Sequence, residues 1–357
     1  MPEVSKTLMQ RIQEQTARGI REFYGDSLGN LKDRVQSDRS QLEGLAERLP
    51  CGAAQAQIKE MIGSYSTIEG LLDRAAGQVS RGAEEIVDQA VSGEGHEDEP
   101  AFENVETFCM FIGYPRSGHS LVGALLDAHP NAVIAHELNA LECVEKGFVK
   151  ERIFRLVLEN SQKFAKSGRR WDGYSYKVPS QWQGRFKRLR VIGDKKGGGS
   201  TRIISSTPDI FQRLQAIIDT DVRFIHVVRN PYDNISSMYK HRQHNQSLRS
   251  IIDRYFDLCK ANAVIKEQLG AGAVFEVSHE SFIKDPEQTL RELCAFLDLE
   301  CEGDYLTDCT SIVFASPHKT RHAIEWNSRA ITMVQDGIDR HDFLKGYSYS
   351  EAYPQEA

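Results

Sequence analysis

Apolar positions along this chain follow two different rhythms, which change near residue 100. Between residues 28 and 49 they recur at Leu28, Leu31, Val35, Leu42, Leu45 and Leu49, a three-four spacing broken only where Asp38 takes a seam position. A second run, Ile58, Met61, Tyr65, Ile68, Leu72, Ala75 and Val79, repeats the alternation, and Pro50-Cys51-Gly52 separates the two. Such spacing gathers apolar side chains into one stripe of a helix, so residues 1–91 are expected to form a helical hairpin with coiled-coil character. The stripe needs a cover. The hairpin closing on itself, the following domain, or a second copy in a homodimer would each supply one.

Residues 92–100 read SGEGHEDEP, small, acidic and almost without apolar side chains, which predicts an acidic linker over 92–104. Beyond it the rhythm shortens. Runs rich in β-branched and aromatic residues at 108–112, 131–135, 189–192, 222–228 and 273–277 read as strands. Helical periodicity fills the intervals, as at 120–128, 209–218 and 248–269. Alternation of this kind predicts an α/β domain over 105–357, a mostly parallel sheet with helices on both faces. Ligands of such sheets bind beyond the C-terminal ends of the strands, so the residues following each strand are where chemistry is sought.

Composition narrows the function. In 357 residues, 40% are hydrophobic and 27% charged, enough apolar surface for a real core. The formal net charge of −7 gives no reason to expect nucleic-acid binding, so an anion site must be a local cluster. No apolar run approaches the roughly 20 residues of a membrane span, and the N-terminus has no signal-like stretch, which together predict a cytoplasmic protein. Seven cysteines without paired metal-ligand spacing read as reduced thiols, and no metal site is expected.

The first strand is followed by GYPRSGHS at residues 113–120, which has the spacing of a phosphate-binding loop with His119 where a nucleotide hydrolase carries lysine. Gly113 and Gly118 allow a tight turn, and the amides of residues 117–121 would open a helix and face an anion. A second anchor follows the strand at 222–228, where Arg229 stands at the strand end and Ser237 lies two turns into a helix opened by Pro231. An ordinary glycine-rich turn and an incidental surface arginine would be the plain alternatives.

Taken together, GYPRSGHSLVGALLDAHP and RFIHVVRNPYDNISSMY resemble the two nucleotide-binding motifs of the sulfotransferase family, closest to the branch with protein-tyrosine and bacterial sulfotransferases. The resemblance implies a P-loop-like fold and transfer of a sulfuryl group from 3′-phosphoadenosine-5′-phosphosulfate (PAPS), with no metal. It places Arg116, Ser117, Gly118, His119 and Ser120 on the 5′-phosphosulfate and Arg229 with Ser237 on the 3′-phosphate. SPHKTRHAIEW at 316–326 resembles the loop closing over the nucleotide, with Lys319, Thr320 and Arg321 as ligands. The chain departs from the pattern at His119, where many members carry threonine.

Transfer to a hydroxyl also needs a base and a cation near the departing oxygen. Glu137, after the second strand, resembles the base of the tyrosine-directed branch. His136 competes with it, and neighbours on an extended segment point to opposite sides, so one of the two is expected to face the co-substrate. Lys195 of GDKKGGGS resembles the lysine on the transferred group, and Lys196 reads as solvated charge in a flexible stretch. Asp194 could instead be the metal-binding acid of a nucleotide kinase or NTPase, which stays open, as does a non-catalytic nucleotide-binding scaffold. The acceptor would be a small-molecule, sugar or peptide hydroxyl. Trp171, Tyr174, Tyr176 and Trp182, within the basic and aromatic stretch 163–190, would line its groove or merely pack on the domain.

Overall fold

The computed structural model describes residues 102–242, 246–270, 272–301 and 303–350, with scattered positions between 32 and 62. The chain divides into two compact units, Met1–Pro100 and Ala101–Ala357. In the first unit every described position is helical. Val35 and Ala46 are buried there, Arg39 pairs with Glu43 one turn on at 3.0 Å, and Gln55 donates to the Ala46 carbonyl at 3.1 Å. The turn at 50–52, all seven apolar positions named for the second run and the acidic stretch 92–100 lie outside the described residues, and so do any cover of the seam and any dimer contact.

The second unit is built on five parallel strands: β1 (Thr107–Gly113), β2 (Ala132–His136), β5 (Val191–Lys195), β6 (Asp221–Val228) and β7 (Val274–Ser278). Their order in the sheet is β2-β5-β1-β6-β7. Two short strands, β3 (Arg170–Trp171) and β4 (Tyr174–Ser175), pair as a separate antiparallel hairpin. Every strand expected from the hydrophobic runs is present, displaced by no more than two or three residues at its ends.

Alternation along the central strands separates two cores. Phe108, Met110 and Ile112 of β1 and Phe224 of β6 face one cluster with Leu141, Phe154, Val157 and Leu214. Cys109 and Phe111, with Ile225 and Val227, face the other with Leu125, Leu290, Leu293 and Tyr305. A strand covered on both faces must be apolar at every position, which is why TFCMFIG is wholly buried. Each such large side chain contributes about 1.5–3 kcal/mol.

The helices that carry the site are α1 (His119–Leu126), α2 (Ala140–Glu145), α3 (Lys150–Lys166), α4 (Gly197–Ser206), α5 (Ile210–Ile218), α6 (Pro231–Arg242), α7 (Leu248–Leu269) and α8 (His279–Lys284). The glycine run expected to be a flexible stretch is instead the first turn of α4. Its glycines bring that turn against the loop after β1: a Cβ on Gly198 would sit 2.9 Å from Pro115 Cδ, and one on Gly197 would meet the His119 ring at 3.4 Å. Close approach, rather than mobility, is what the glycines provide here. Among the described residues no helix is long and apolar enough to cross a membrane.

The hairpin has its own anchor. Asp127, just past α1, is fully buried and accepts from the Ile134 amide at 2.7 Å and from Ser161 of α3 at 2.8 Å, and it pairs with the guanidinium of Arg169. Arg169 immediately precedes β3, so this buried pair ties the hairpin to the sheet.

Candidate active site

All five parallel strands deliver a residue to one cleft at their C-terminal ends. The loop after β1 contributes Arg116 to Ser120, β2 is followed by Glu137, β5 ends in Lys195, β6 is followed by Arg229, and β7 by His279. A cavity of about 410 Å³ opens there, within the range typical of small-molecule sites, about 300–1,000 Å³. Arg116, Gly118, His119, Ser120, Glu137, Lys196, Arg229, Ser237, His279 and Thr320 are in its wall.

The loop after β1 turns sharply and leaves its amides open. Gly118 caps α1 at φ +98°, and a Cβ there would lie 2.4 Å from His279 Cδ2. Arg116 also takes a left-handed conformation, φ 71°, a cost for a non-glycine residue that functional sites often carry. Amides in the first turn of a helix have no preceding carbonyl to bond. Among the described residues, those of Ser117, Gly118, His119 and Ser120 donate to no carbonyl or side chain. Replacing Gly118 by alanine is therefore expected to lower stability by about 1–3 kcal/mol, read as a drop in melting temperature, because both the φ and the contact with His279 are unfavourable. An unchanged melting temperature would show that the loop relaxes without cost.

Arg116 points across the cleft. Its Nε donates to Ser237 Oγ at 3.2 Å and its Nη1 to Asp172 Oδ2 at 2.6 Å, so the hairpin tip and α6 meet at this arginine. Arg229 is buried, and donates to the carbonyls of Arg116 at 3.2 Å and His318 at 2.6 Å and to Thr320 Oγ1 at 3.2 Å. The two anchors expected from separate motifs thus lie in contact.

The late loop divides. Thr320 reaches the cavity wall, whereas Lys319 is exposed and Arg321 is buried away from it. The Arg321 guanidinium pairs with Asp233 at 2.6 Å and donates to the carbonyls of Ser348 and Tyr349, which makes it a brace between α6 and the C-terminal segment. Of the three residues expected from this loop, only Thr320 is in the cavity wall.

Glu137, φ 62°, is the hub of the other half. Its Oε1 lies 2.7 Å from Lys195 Nζ and 3.6 Å from His119 Nε2, and its Oε2 lies 2.8 Å from Lys196 Nζ. Burial alone would raise this carboxyl, but the His119 contact and the Lys195 charge outweigh it and hold the group far below the ordinary range. Lys195, 1% exposed, also donates to Ser120 Oγ at 3.1 Å, and burial lowers its pKa. Lys196 is thus an ion-pair partner in the cavity wall, not the solvated charge its sequence context implies. His119 shares a hydrogen bond with Ser117 Oγ through Nδ1, 3.1 Å, and burial lowers its pKa, so it links the loop to Glu137.

His136 turns the other way. Its ring stacks on Phe164 at 4.1 Å and meets Trp171 edge-on at 5.1 Å, and burial and then Lys195 push its pKa down to about 3. Of the expected pair only Glu137 faces the cavity. Asp194 is fully buried beneath, accepting from the Leu138 amide at 3.1 Å and the Ala140 amide at 2.8 Å. Both oxygens cap the start of α2, which is a structural role rather than that of a metal-binding acid.

Trp171, Tyr174 and Tyr176 line the cavity from the hairpin and the segment after it. Trp182 instead lies under the charges of Arg185 and Lys187. His279 and His318 were not singled out in the sequence. His279 directly follows β7, so the strand-end rule would have found it. His318 lies within the late segment 316–326 already noted, though the residue itself was not picked out there.

Comparison with known proteins follows the same line. The model of the sulfotransferase family matches residues 110–303, more than half of the chain. No curated protein matches it. Similar solved structures include the sulfotransferase domain of the curacin biosynthetic pathway, 16% identical over 66% of this chain and 98% of that one, with a TM-score of 0.42. A sulfotransferase of Mycobacterium tuberculosis is 12% identical over 92% and 98%, TM-score 0.41. A mouse sulfotransferase complexed with PAP is 13% identical over 66% and 84%, TM-score 0.38.

Proposed function

Because the chain belongs to the sulfotransferase family, we propose that it moves a sulfuryl group from PAPS to an acceptor hydroxyl by in-line displacement. The acceptor belongs to a small molecule, a sugar or a peptide. The observation that carries this reading is the meeting of two candidate anchors in one cavity, the open amides after β1 and the buried Arg229 with Ser237 in the same wall. One anchor suits a 5′-phosphosulfate and the other a 3′-phosphate, a pairing that a nucleotide triphosphate would not need.

The co-substrate, when bound, supplies the sulfuryl group and a nucleotide leaving group. The chain's part is positioning and charge. The amides of Ser117 to Ser120 and the Arg116 guanidinium bind and orient the 5′ end, Arg229, Ser237 and Thr320 bind the 3′ end, and Lys195 offers positive charge beside Ser120. Glu137 takes the proton of the acceptor hydroxyl, with His119 and the two lysines fixing its direction. His119 therefore acts as a positioning residue between the loop and the base.

The test is a screen of acceptor pools with PAPS by mass spectrometry, looking for the gain of one SO₃ unit, alongside calorimetry with 3′-phosphoadenosine-5′-phosphate. Transfer with nucleotide binding is expected, and failure of the nucleotide to bind would sink the reading.

A pH profile adds a sign. Glu137 is held ionised far below its ordinary range, so it supplies no acid limb near neutrality. Lys195, lowered by burial, loses its charge as pH rises. kcat/KM is expected to fall on the alkaline side, starting below the ordinary lysine range, and Lys195→Met is expected to flatten that limb at a lower rate. A limb unchanged in Lys195→Met would assign it elsewhere.

A further inference from the structure

The cavity is more cationic than a nucleotide requires. Among the described residues its wall holds Arg116, Lys196, Arg202, Arg229 and Arg254 against two carboxylates, in a protein whose net charge is −7. Both carboxylates are engaged: Glu137 with Lys195 and Lys196, Asp172 with Arg116. Arg116 and Arg229 belong to the anchors already described. Arg202 does not.

Arg202 lines that wall from α4 and Arg254 from the neighbouring α7. On α4, Arg202 follows Gly198 by four residues and Gly199 by three, so it rises one turn above them on the face that lines the cavity. On α7, Arg254 shares a face with Leu258 and Asn262, and Asn262 Oδ1 accepts from Thr201 Oγ1 of α4 at 2.7 Å in the buried interior. That bond locks the two helices side by side. The first turn of α4 carries no acid, and it starts at Lys196, whose ammonium reaches Glu137. Arg202 thus stands on the helix whose N-cap residue, Lys196, pairs with the proposed base.

We infer that the acceptor carries an oxyanion of its own, a carboxylate, sulfate or phosphate beside the hydroxyl, and that Arg202 selects it. This rests on the sulfotransferase reading above. A wall of one sign concentrates and orients a counter-charged ligand, and a bidentate arginine distinguishes a carboxylate from its neutral isostere.

The experiment uses the full chain and two matched acceptor pairs, 4-hydroxyphenylacetate against 4-hydroxyphenylacetamide and glucuronate against glucuronamide. Binding in the presence of 3′-phosphoadenosine-5′-phosphate is followed by saturation-transfer NMR, and SO₃ transfer from PAPS by mass spectrometry. For at least one pair the acid is expected to bind or react about tenfold better than the amide, the size of one charge-assisted hydrogen bond. Arg202→Ala, at an exposed position, is expected to bring that ratio to within about twofold, Arg202→Lys to restore part of it, and neither to move the nucleotide Kd. Equal binding of acid and amide, no binding by either, or an Arg202→Ala variant that loses nucleotide affinity with the ratio intact would each overturn the inference. If the nucleotide itself fails to bind the parent protein, the sulfotransferase reading fails first.

Discussion

Arg229→Ala is expected to weaken binding of 3′-phosphoadenosine-5′-phosphate by about a hundredfold or more, since a buried arginine lost from an anion contact costs about 2–5 kcal/mol. Arg229 is 7% exposed, and its guanidinium bonds go to the carbonyls of Arg116 and His318 and to Thr320 Oγ1. Those carbonyls hold the fork in place and leave its charge uncompensated by any direct carboxylate contact among the described residues. An anion in the cavity would complete it. The diagnostic control is adenosine 5′-phosphate, which lacks the 3′ group. The parent should prefer the bisphosphate strongly, and the variant should bind both nucleotides alike. If Arg229→Ala keeps the preference, the 3′-phosphate lies elsewhere. A parallel melting curve separates this from misfolding, because a variant that has only lost its ligand still melts cooperatively.

The second large effect is on rate. Glu137→Gln is expected to lower kcat by about 10²–10⁴, the usual contribution of a positioned base. Nucleotide affinity should move in the opposite direction or not at all. In the parent, Glu137 neutralises Lys195 and Lys196 from 2.7 and 2.8 Å, and a neutral amide leaves both ammonium groups to an incoming anion. The pair of readouts is informative because a structural glutamate would show the reverse pattern, a stable rate with disturbed binding. Unchanged kcat with tighter nucleotide binding would reduce Glu137 to a holder of lysines and move the proton transfer to another group.

Much of the fold was legible because its signals are local. Fully apolar runs such as FCMFI can be satisfied only between two helical layers, and the expected and observed strands agree to within a few residues. That loop residues 116–120 and the Arg229–Ser237 pair would stand at strand ends was legible for the same reason, and the structure brings them to one cavity. The readings that changed concern residues whose roles depend on partners far away in sequence. Lys196 looked solvated until Glu137 stood 2.8 Å from it across β2 and β5. Arg321 looked like a nucleotide ligand until Asp233 took its charge. The glycines before Arg202 looked mobile until Pro115 and His119 filled the space beside them.

The amino-acid sequence alone determined the parallel sheet, the glycine-rich turn after its first strand and the family resemblance, because hydrophobic periodicity and turn chemistry act over a few residues. Only the tertiary structure decided which charges oppose each other: that Glu137 rather than His136 faces the cavity, and that Arg202 and Arg254 share one wall. Electrostatic interaction depends on distance through space, and residues separated by dozens of positions reach 3 Å only when the sheet and its helices set them there.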